Sequence, residues 1–273
     1  MRKRKIQLQG CQNTRDLGGI KTKDGRRIKA HKLIRSGALY KATKEDMDTL
    51  IQEYELKTII DFRTLPEIAN KPDPQREELT YYKNPVLEKF TDDKEEKQMR
   101  MANDNPIQEA IDRAAELPDE MKTFMISIYP QLVQEAHCVN AYRQFFQYLL
   151  EQKEGAVLWH CSEGKDRVGV GTFLLLYALG VDMETIKQDY LFTNDCIYND
   201  VSLILGTISR LMSNRVLEEK IKYMLMVEPE YIESIIETVD HEYGSFDDFL
   251  LHAMGLGKEE LTKLRDLYLE EEA

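Results

Sequence analysis

The chain has 273 residues, with 49 acidic against 37 basic side chains, a formal net charge of −12 and a pI near 5.1. That balance argues against a nucleic-acid coat, which needs a broad basic face. A composition of 42% hydrophobic and 32% charged residues argues against disorder.

The length suits one large domain, read here as a single unit over residues 1–273. No apolar run approaches the roughly 18 residues of a membrane-spanning helix, so stable membrane insertion is not expected. The opening Met-Arg-Lys-Arg-Lys has no apolar segment behind it and reads as a solvated tail, not a secretion signal. A cytoplasmic location is the expectation, with secretion by a route that needs no signal peptide left open; the oligomeric state is open too. Cys11, Cys138, Cys161 and Cys196 form no Cys-x-x-Cys pair and the five histidines are scattered, so neither a disulfide framework nor a metal site is expected.

The first third reads as mixed α/β. Ile20–Lys23, the turn Asp24-Gly25 and Arg26–Ile28 suggest a small hairpin, and Leu33-Ile34 a strand. Thr43 to Tyr54 reads as a helix: Thr43 caps it, Asp46 stands in the capping-box position, and Met47, Leu50 and Ile51 form its apolar stripe. Leu56 to Phe62 reads as a buried strand. Lys71-Pro72-Asp73-Pro74 breaks regular structure, and Tyr81 to Val86 suggests another strand.

Residues 88–122 are highly charged with sparse apolar positions, the pattern of an exposed, mobile helical excursion. It is either a plain surface insertion or a lid over a site, the lid reading reaching to about residue 152. Tyr142 to Leu150 reads as a helix that Gly155 ends, and Ala156 to Trp159 as a short buried strand. Val168 to Leu179 is apolar on nearly every side, which predicts a helix inside the core. Residues 181–273 read as helical throughout: Ile232, Ile235, Ile236 and Val239 keep helical spacing, as do Leu261, Leu264 and Leu267.

Between the last strand and the core helix lies His160-Cys161-Ser162-Glu163-Gly164-Lys165-Asp166-Arg167-Val168-Gly169. Five residues between Cys161 and Arg167 can curl into a cup whose backbone N–H groups point at one centre. With the N-terminus of the next helix, that cup suits a tetrahedral phosphate. It also stabilises a thiolate, which makes Cys161 a nucleophile. Arg167 can grip two phosphoryl oxygens, and Gly164 permits the tight turn. A Walker A reading fails, because no glycine stands five residues before Gly164 and Asp166 replaces the required Ser or Thr.

This loop resembles the signature of cysteine-dependent tyrosine phosphatases. Its narrower form, His-Cys-x-x-Gly-Lys-Asp-Arg, resembles a bacterial family of tyrosine and lipid phosphatases. Asn13-Thr14-Arg15-Asp16-Leu17-Gly18-Gly19, Arg35-Ser36-Gly37 and Asp61-Phe62-Arg63 resemble further motifs of that family, in the same order, and Tyr243-Gly244-Ser245 lies in a helical tail similar to the family's. The resemblance implies an α/β phosphatase fold, a central sheet flanked by helices with a lid-like helical insertion and a helical C-terminal part. It implies hydrolysis of phosphoproteins or phosphoinositides without a cofactor.

It also implies roles for residues. Cys161 forms a cysteinyl-phosphate, and Ser162, Glu163, Gly164, Lys165, Val168 and Gly169 line or frame the phosphate. The general acid falls at Asp166 by resemblance, with Asp61 the alternative; Asp61 otherwise pairs with Arg63 or Arg15. His160 braces the loop, and Asp16 and Arg15 organise it from below. Lys165 at this position goes with highly anionic headgroups in the family, while Glu163 opposes them.

Val168 departs from the pattern. A Ser or Thr there donates to the departing sulfur, and its loss slows phosphoenzyme breakdown by roughly one to two orders of magnitude. That departure keeps a second reading alive, a phosphate-binding module with negligible turnover. Rhodanese-like sulfur transfer fits the spacing worse.

Overall fold

The β-branched and apolar runs Leu56–Asp61 (β4) and Ala156–His160 (β6) lie side by side at the centre of a five-stranded sheet in the computed structural model. The structure describes residues 4–88, 105–212 and 214–271. Arg15–Asp16 (β1), Leu33–Ser36 (β3) and Thr80–Lys83 (β5) complete the sheet in the order β1-β3-β6-β4-β5. All neighbours pair in parallel except β1, which runs antiparallel to β3. The register sets Ser36 and Asp61 on either side of His160. The carboxyl ends of three parallel strands therefore meet at one edge, where open α/β sheets bind ligands.

Both faces of the sheet are covered, as its near-continuous apolar strands require. Helix α1 (Lys44–Gln52) lays Met47 and Leu50 on one face, against Ile34, Ile59 and Leu158. Thr43 and Asp46 form the expected capping box at its start. A second helix, α2 (Leu65–Asn70), follows β4 at once. It starts from another capping box, Thr64 with Glu67.

The other face carries the larger core. There α6 (Ala136–Glu151) and α7 (Asp166–Ala178) pack on Leu33, Ile60, Val157 and Trp159. The indole of Trp159 donates to Thr172 Oγ1 at 3.1 Å, satisfying its one polar atom in the interior. Beyond lie the 30-residue α8 (Met183–Met212), α9 (Arg215–Leu225) and α10 (Pro229–Tyr243). They are followed by α11 (Phe246–Asp248), a π-helical turn over Phe249–Ala253, and α12 (Lys258–Tyr268). No helix among the described residues is long and apolar enough to cross a membrane.

Several sequence expectations need correction. Of the charged stretch 88–122, residues 89–104 lie outside the described residues. From residue 105 it is helical and largely exposed, as expected, but one face is packed on the rest of the protein. Pro106–Glu116 (α3) and Met121–Ile128 (α4), with the short α5 (Gln131–Gln134), bury Ala110, Ala114, Met121 and Met125 against α8, α9 and α10. Few apolar residues suffice when small alanines let helices approach closely.

The C-terminal part is not all helix. Leu269–Glu270 (β7) pairs antiparallel with Arg27–Ile28 (β2), so the far end of the chain supplies the hairpin's lasting partner. The basic N-terminus is not wholly solvated: Arg4 donates to Asp189 at 3.0 Å and Lys5 to the Cys196 carbonyl at 3.0 Å. Residues 1–3 lie outside the described residues.

Gly155 does not cap α6, which ends where Gln152 turns extended (φ −61°, ψ 125°). It forms the turn into β6 at φ +69°, with any Cβ only 2.4 Å from the Glu55 carbonyl oxygen. Strain and clash coincide there, so Gly155→Ala is expected to destabilise the fold by about 2 kcal/mol or more, measured by denaturant unfolding.

Candidate active site

The loop from Cys161 to Arg167 leaves the end of β6 and enters α7 at Asp166. Its shape is imposed from the β1–β3 side. The Ser162 carbonyl accepts from Ala38 N at 3.0 Å. The Glu163 carbonyl accepts from Asn13 Nδ2 at 3.3 Å, and the Gly164 carbonyl from Asn13 Nδ2 and Arg35 Nη2, both at 2.9 Å. In a trans peptide the N–H points opposite to the carbonyl. Tying three consecutive carbonyls to one side therefore aims the N–H groups of Glu163, Gly164 and Lys165 to the other. Gly164 sits at φ +68°, and a Cβ there would lie 2.5 Å from the Ser36 carbonyl oxygen. Only glycine fits.

Beneath this anchor lies one carboxylate. Asp189, buried on α8, accepts from Arg35 at 3.0 Å, from Arg4 at 3.0 Å and from Arg15 at 3.3 Å. Burial pushes its pKa up, but Arg15, Arg35 and Arg4 outweigh burial and hold it far below the usual carboxylate range. Arg15 also donates to Asn13 Oδ1, orienting the amide that grips the loop. Arg15 thus reaches the loop through Asn13. Asp16 does not reach it: its carboxylate accepts from Gly18 N and His31 N, both at 2.9 Å, and ties a neighbouring turn.

Arg167 points back across the loop to Glu67, which sequence reasoning missed. Its two terminal nitrogens donate to the Glu67 oxygens at 2.7 and 3.0 Å, and it also bonds Ser162 Oγ at 3.2 Å. Ser162 Oγ in turn donates to Glu67. The same carboxylate caps α2 through Thr64 N at 2.8 Å. Burial opposes its ionisation, yet Arg167, Ser162 and the cap hold its pKa at about 2. The signal was available: Thr64-x-x-Glu67 with Pro66 between repeats the capping-box pattern of α1.

Asp166 opens α7 with its carboxylate oxygens 2.8 and 2.7 Å from Lys165 Nζ. Tyr129, which follows α4, donates its hydroxyl to the same carboxylate at 2.5 Å. Glu163 stands at the rim, half-exposed, 4.0 Å from Arg113 of α3. Val168 and Gly169 are buried in the first turn of α7, where a Cβ on Gly169 would come within 3.0 Å of the Tyr190 ring. Cys161, Lys165 and Arg167 are only 2%, 3% and 3% exposed, so a substrate must displace side chains that cover them.

His160 lies behind Cys161, fully buried, its Nε2 3.1 Å from Asp73 and 3.8 Å from Asp61. Burial lowers its pKa, but Asp61 and Asp73 outweigh that and raise it. Arg63 sits between these carboxylates, 2.6 Å from Asp61 and 2.7 Å from Asp73. The three residues Asp61, Asp73 and His160 could gather around an ion. Arg63 already supplies a positive charge to both carboxylates. Asp73 was visible in the sequence only as part of a chain-breaking stretch.

The sequence profile of the tyrosine phosphatase family matches residues 6–270. The chain belongs to the tyrosine phosphatase family. It is 29% identical over 261 residues to a protein of Cupriavidus necator provisionally named a tyrosine-protein phosphatase, covering 94% of this chain and 85% of that one. It is 24% identical over 279 residues to the triple specificity protein phosphatase PtpB of Mycobacterium tuberculosis, covering 96% and 98%. A shorter match, 38% identical over 72 residues, joins 24% of this chain to 24% of a tyrosine-protein phosphatase of Nostoc commune. Phosphatase activity is the function that this membership supports.

In this family member the Glu67 pair makes a stability prediction. Glu67 has a depressed pKa in the fold, so its contribution is present above its unfolded value near 4.5 and is lost as pH falls towards about 2. Glu67→Gln should cost on the order of 3 kcal/mol at neutral pH, because Arg167 loses its buried partner. Its unfolding midpoint should then fall less than the native chain's between about pH 5 and pH 3.

Proposed function

We propose that the chain hydrolyses phosphomonoesters through a cysteinyl-phosphate on Cys161. The observation that carries this reading is the outward tethering of three successive loop carbonyls beside the buried cysteine and Arg167. It leaves N–H groups facing the opposite side, where an anion would be held without any metal or cofactor.

In the first step the Cys161 thiolate attacks phosphorus. The S–P bond forms as the P–O bond to the leaving group breaks, and Asp166 gives that oxygen a proton. Arg167 and the loop N–H groups hold the three remaining oxygens as charge shifts onto them. In the second step water attacks the phosphoenzyme, Asp166 takes its proton, and Cys161 leaves as thiolate. Asp166 suits the acid role better than Asp61, whose two oxygens are both taken by the Arg63 guanidinium in a buried pair. His160 and Asp73 hold the base of the loop.

In the resting structure Lys165 neutralises Asp166. An arriving phosphoryl dianion offers Lys165 a stronger partner and draws it away from Asp166, whose carboxyl is then left to serve the leaving oxygen. We assign phosphotyrosine as the core substrate, with phosphoserine, phosphothreonine or phosphoinositides as the wider range. The name of the mycobacterial relative, which records triple specificity, supports that breadth. Lys165 favours anionic headgroups, and Glu163 at the rim opposes them. The helices from residue 105 to 134 are read as a cover for the site, because Arg113 and Tyr129 reach the loop from them.

The test is hydrolysis of an aryl phosphate in EDTA. We expect turnover that survives the chelator and is abolished by Cys161→Ser; tight vanadate binding with no turnover would favour the phosphate-binding module instead. Val168, fully buried where a hydroxyl would serve the leaving sulfur, makes the second step slow. A pre-steady-state burst followed by turnover slower by roughly one to two orders of magnitude is expected, and Val168→Ser should speed the slow phase. Turnover limited wholly by the first step would contradict this.

A further inference from the structure

Tyr129 comes from the inserted helices, yet its hydroxyl ends on the loop. It is 1% exposed. Its O–H donates to Asp166 Oδ1 at 2.5 Å, and the hydroxyl of Tyr190, from α8, lies 2.8 Å from it. A phenol has one hydrogen. Once that hydrogen is given to the carboxylate, Tyr190 must donate to the Tyr129 oxygen. The result is a directional chain, Tyr190 to Tyr129 to Asp166. Burial and the neighbouring Asp166 hold Tyr129 well above its usual pKa, so it remains a donor throughout the working range.

We propose that Tyr129 is a positioning residue which, backed by Tyr190, sets the strength and direction of Asp166 as the proton donor to the leaving group. This rests on the reading of Asp166 as the general acid. When Asp166 gives up its proton it becomes a carboxylate. A neutral donor fixed on Oδ1 stabilises that carboxylate as it forms and leaves Oδ2 to face the leaving oxygen. The donor must also be present before the substrate, because a side chain ordered in advance costs nothing to reorganise during the reaction.

The other groups that feel Asp166 are few. Lys165 lies at 2.7 Å and Arg167 follows next in the helix. Among the described residues, the phenols of Tyr142 from α6, Tyr190 from α8 and Tyr231 from α10 also feel its charge, and burial keeps each of them neutral. If Lys165 turns to the phosphoryl group, Tyr129 is the donor that stays on Asp166.

A proton donor matters most when the leaving group is poor. Tyr129→Phe keeps the ring and removes only the donor. With phosphotyrosine, whose leaving phenol has a pKa of about 10, we expect kcat/KM to fall roughly tenfold, a fraction of the roughly 10²–10⁴ that a general acid supplies. With a dinitrophenyl phosphate, whose leaving group needs no proton, the fall should stay below about twofold.

The acid works when protonated, so kcat/KM declines as pH rises through its pKa. Removing a donor that favours the carboxylate raises that pKa, and the alkaline limb should move to higher pH in Tyr129→Phe. Tyr190→Phe should do the same by a smaller amount, and it carries the test should Tyr129→Phe fail to fold. An equal loss on both substrates, or an unmoved alkaline limb, overturns the proposal. Asp166→Asn separates the two levels of the argument. If it spares the poor leaving group, the assignment of the acid fails and the proposal falls with it. If it penalises that group while the tyrosine variants do not, only the proposal fails.

Discussion

The site depends on one buried carboxylate. Asp189 gathers Arg4, Arg15 and Arg35, and two of these arginines then hold the loop: Arg35 by the Gly164 carbonyl, Arg15 through Asn13. Burying guanidinium groups is costly unless the charge is matched and the donors are spent. Arg35 shows the strain: burial, then Arg15 beside it, lowers its pKa to about 9, and Asp189 offsets only part of this. Arg35 spends one further donor, Nη2, on the Gly164 carbonyl, while its Nε is buried without a hydrogen-bond partner among the described residues. The three tethered carbonyls face Ala38 N, Asn13 and Arg35, so the loop N–H groups face away.

Electrostatics around the loop are paired with the same economy. Arg167 meets Glu67, Lys165 meets Asp166, Arg63 meets Asp61 and Asp73, and Glu163 faces Arg113. The resting loop is therefore close to neutral. Under the proposed reaction a phosphoryl group would compete with carboxylates that already belong to the protein. That competition suits a chain of net charge −12: distant acidic residues are screened beyond roughly 10 Å, while the pairs that matter lie within 4 Å.

The helices from residue 105 are tied to both the loop and the C-terminal helices. Tyr129 links them to Asp166, and Lys122 links α4 to Glu230 of α10 at 2.7 Å. The long C-terminal helices thus hold the segment, and the segment holds Asp166. The loop, α8 and the segment 105–134 are thus joined through side-chain hydrogen bonds.

Much of this was legible in the sequence, where the signal is local. A buried strand, Cys161, five residues, Arg167 and an apolar helix are consecutive, so spacing alone defines the loop; a capping box and a stripe placed α1, all-round apolarity placed α7, and a stripe placed α10. The Thr64-x-x-Glu67 cap was equally readable, but its second use on Arg167 was not. What the tertiary structure decided is pairing. Asp189 stands 154 residues from Arg35 and 174 from Arg15, and Tyr129 stands 37 from Asp166. The C-terminal β7 meets β2 from the opposite end of the chain. A charge or a phenol carries no periodicity that names its partner. Which acid meets which base is settled only when packing brings distant segments together and burial makes an unpaired group too costly to leave.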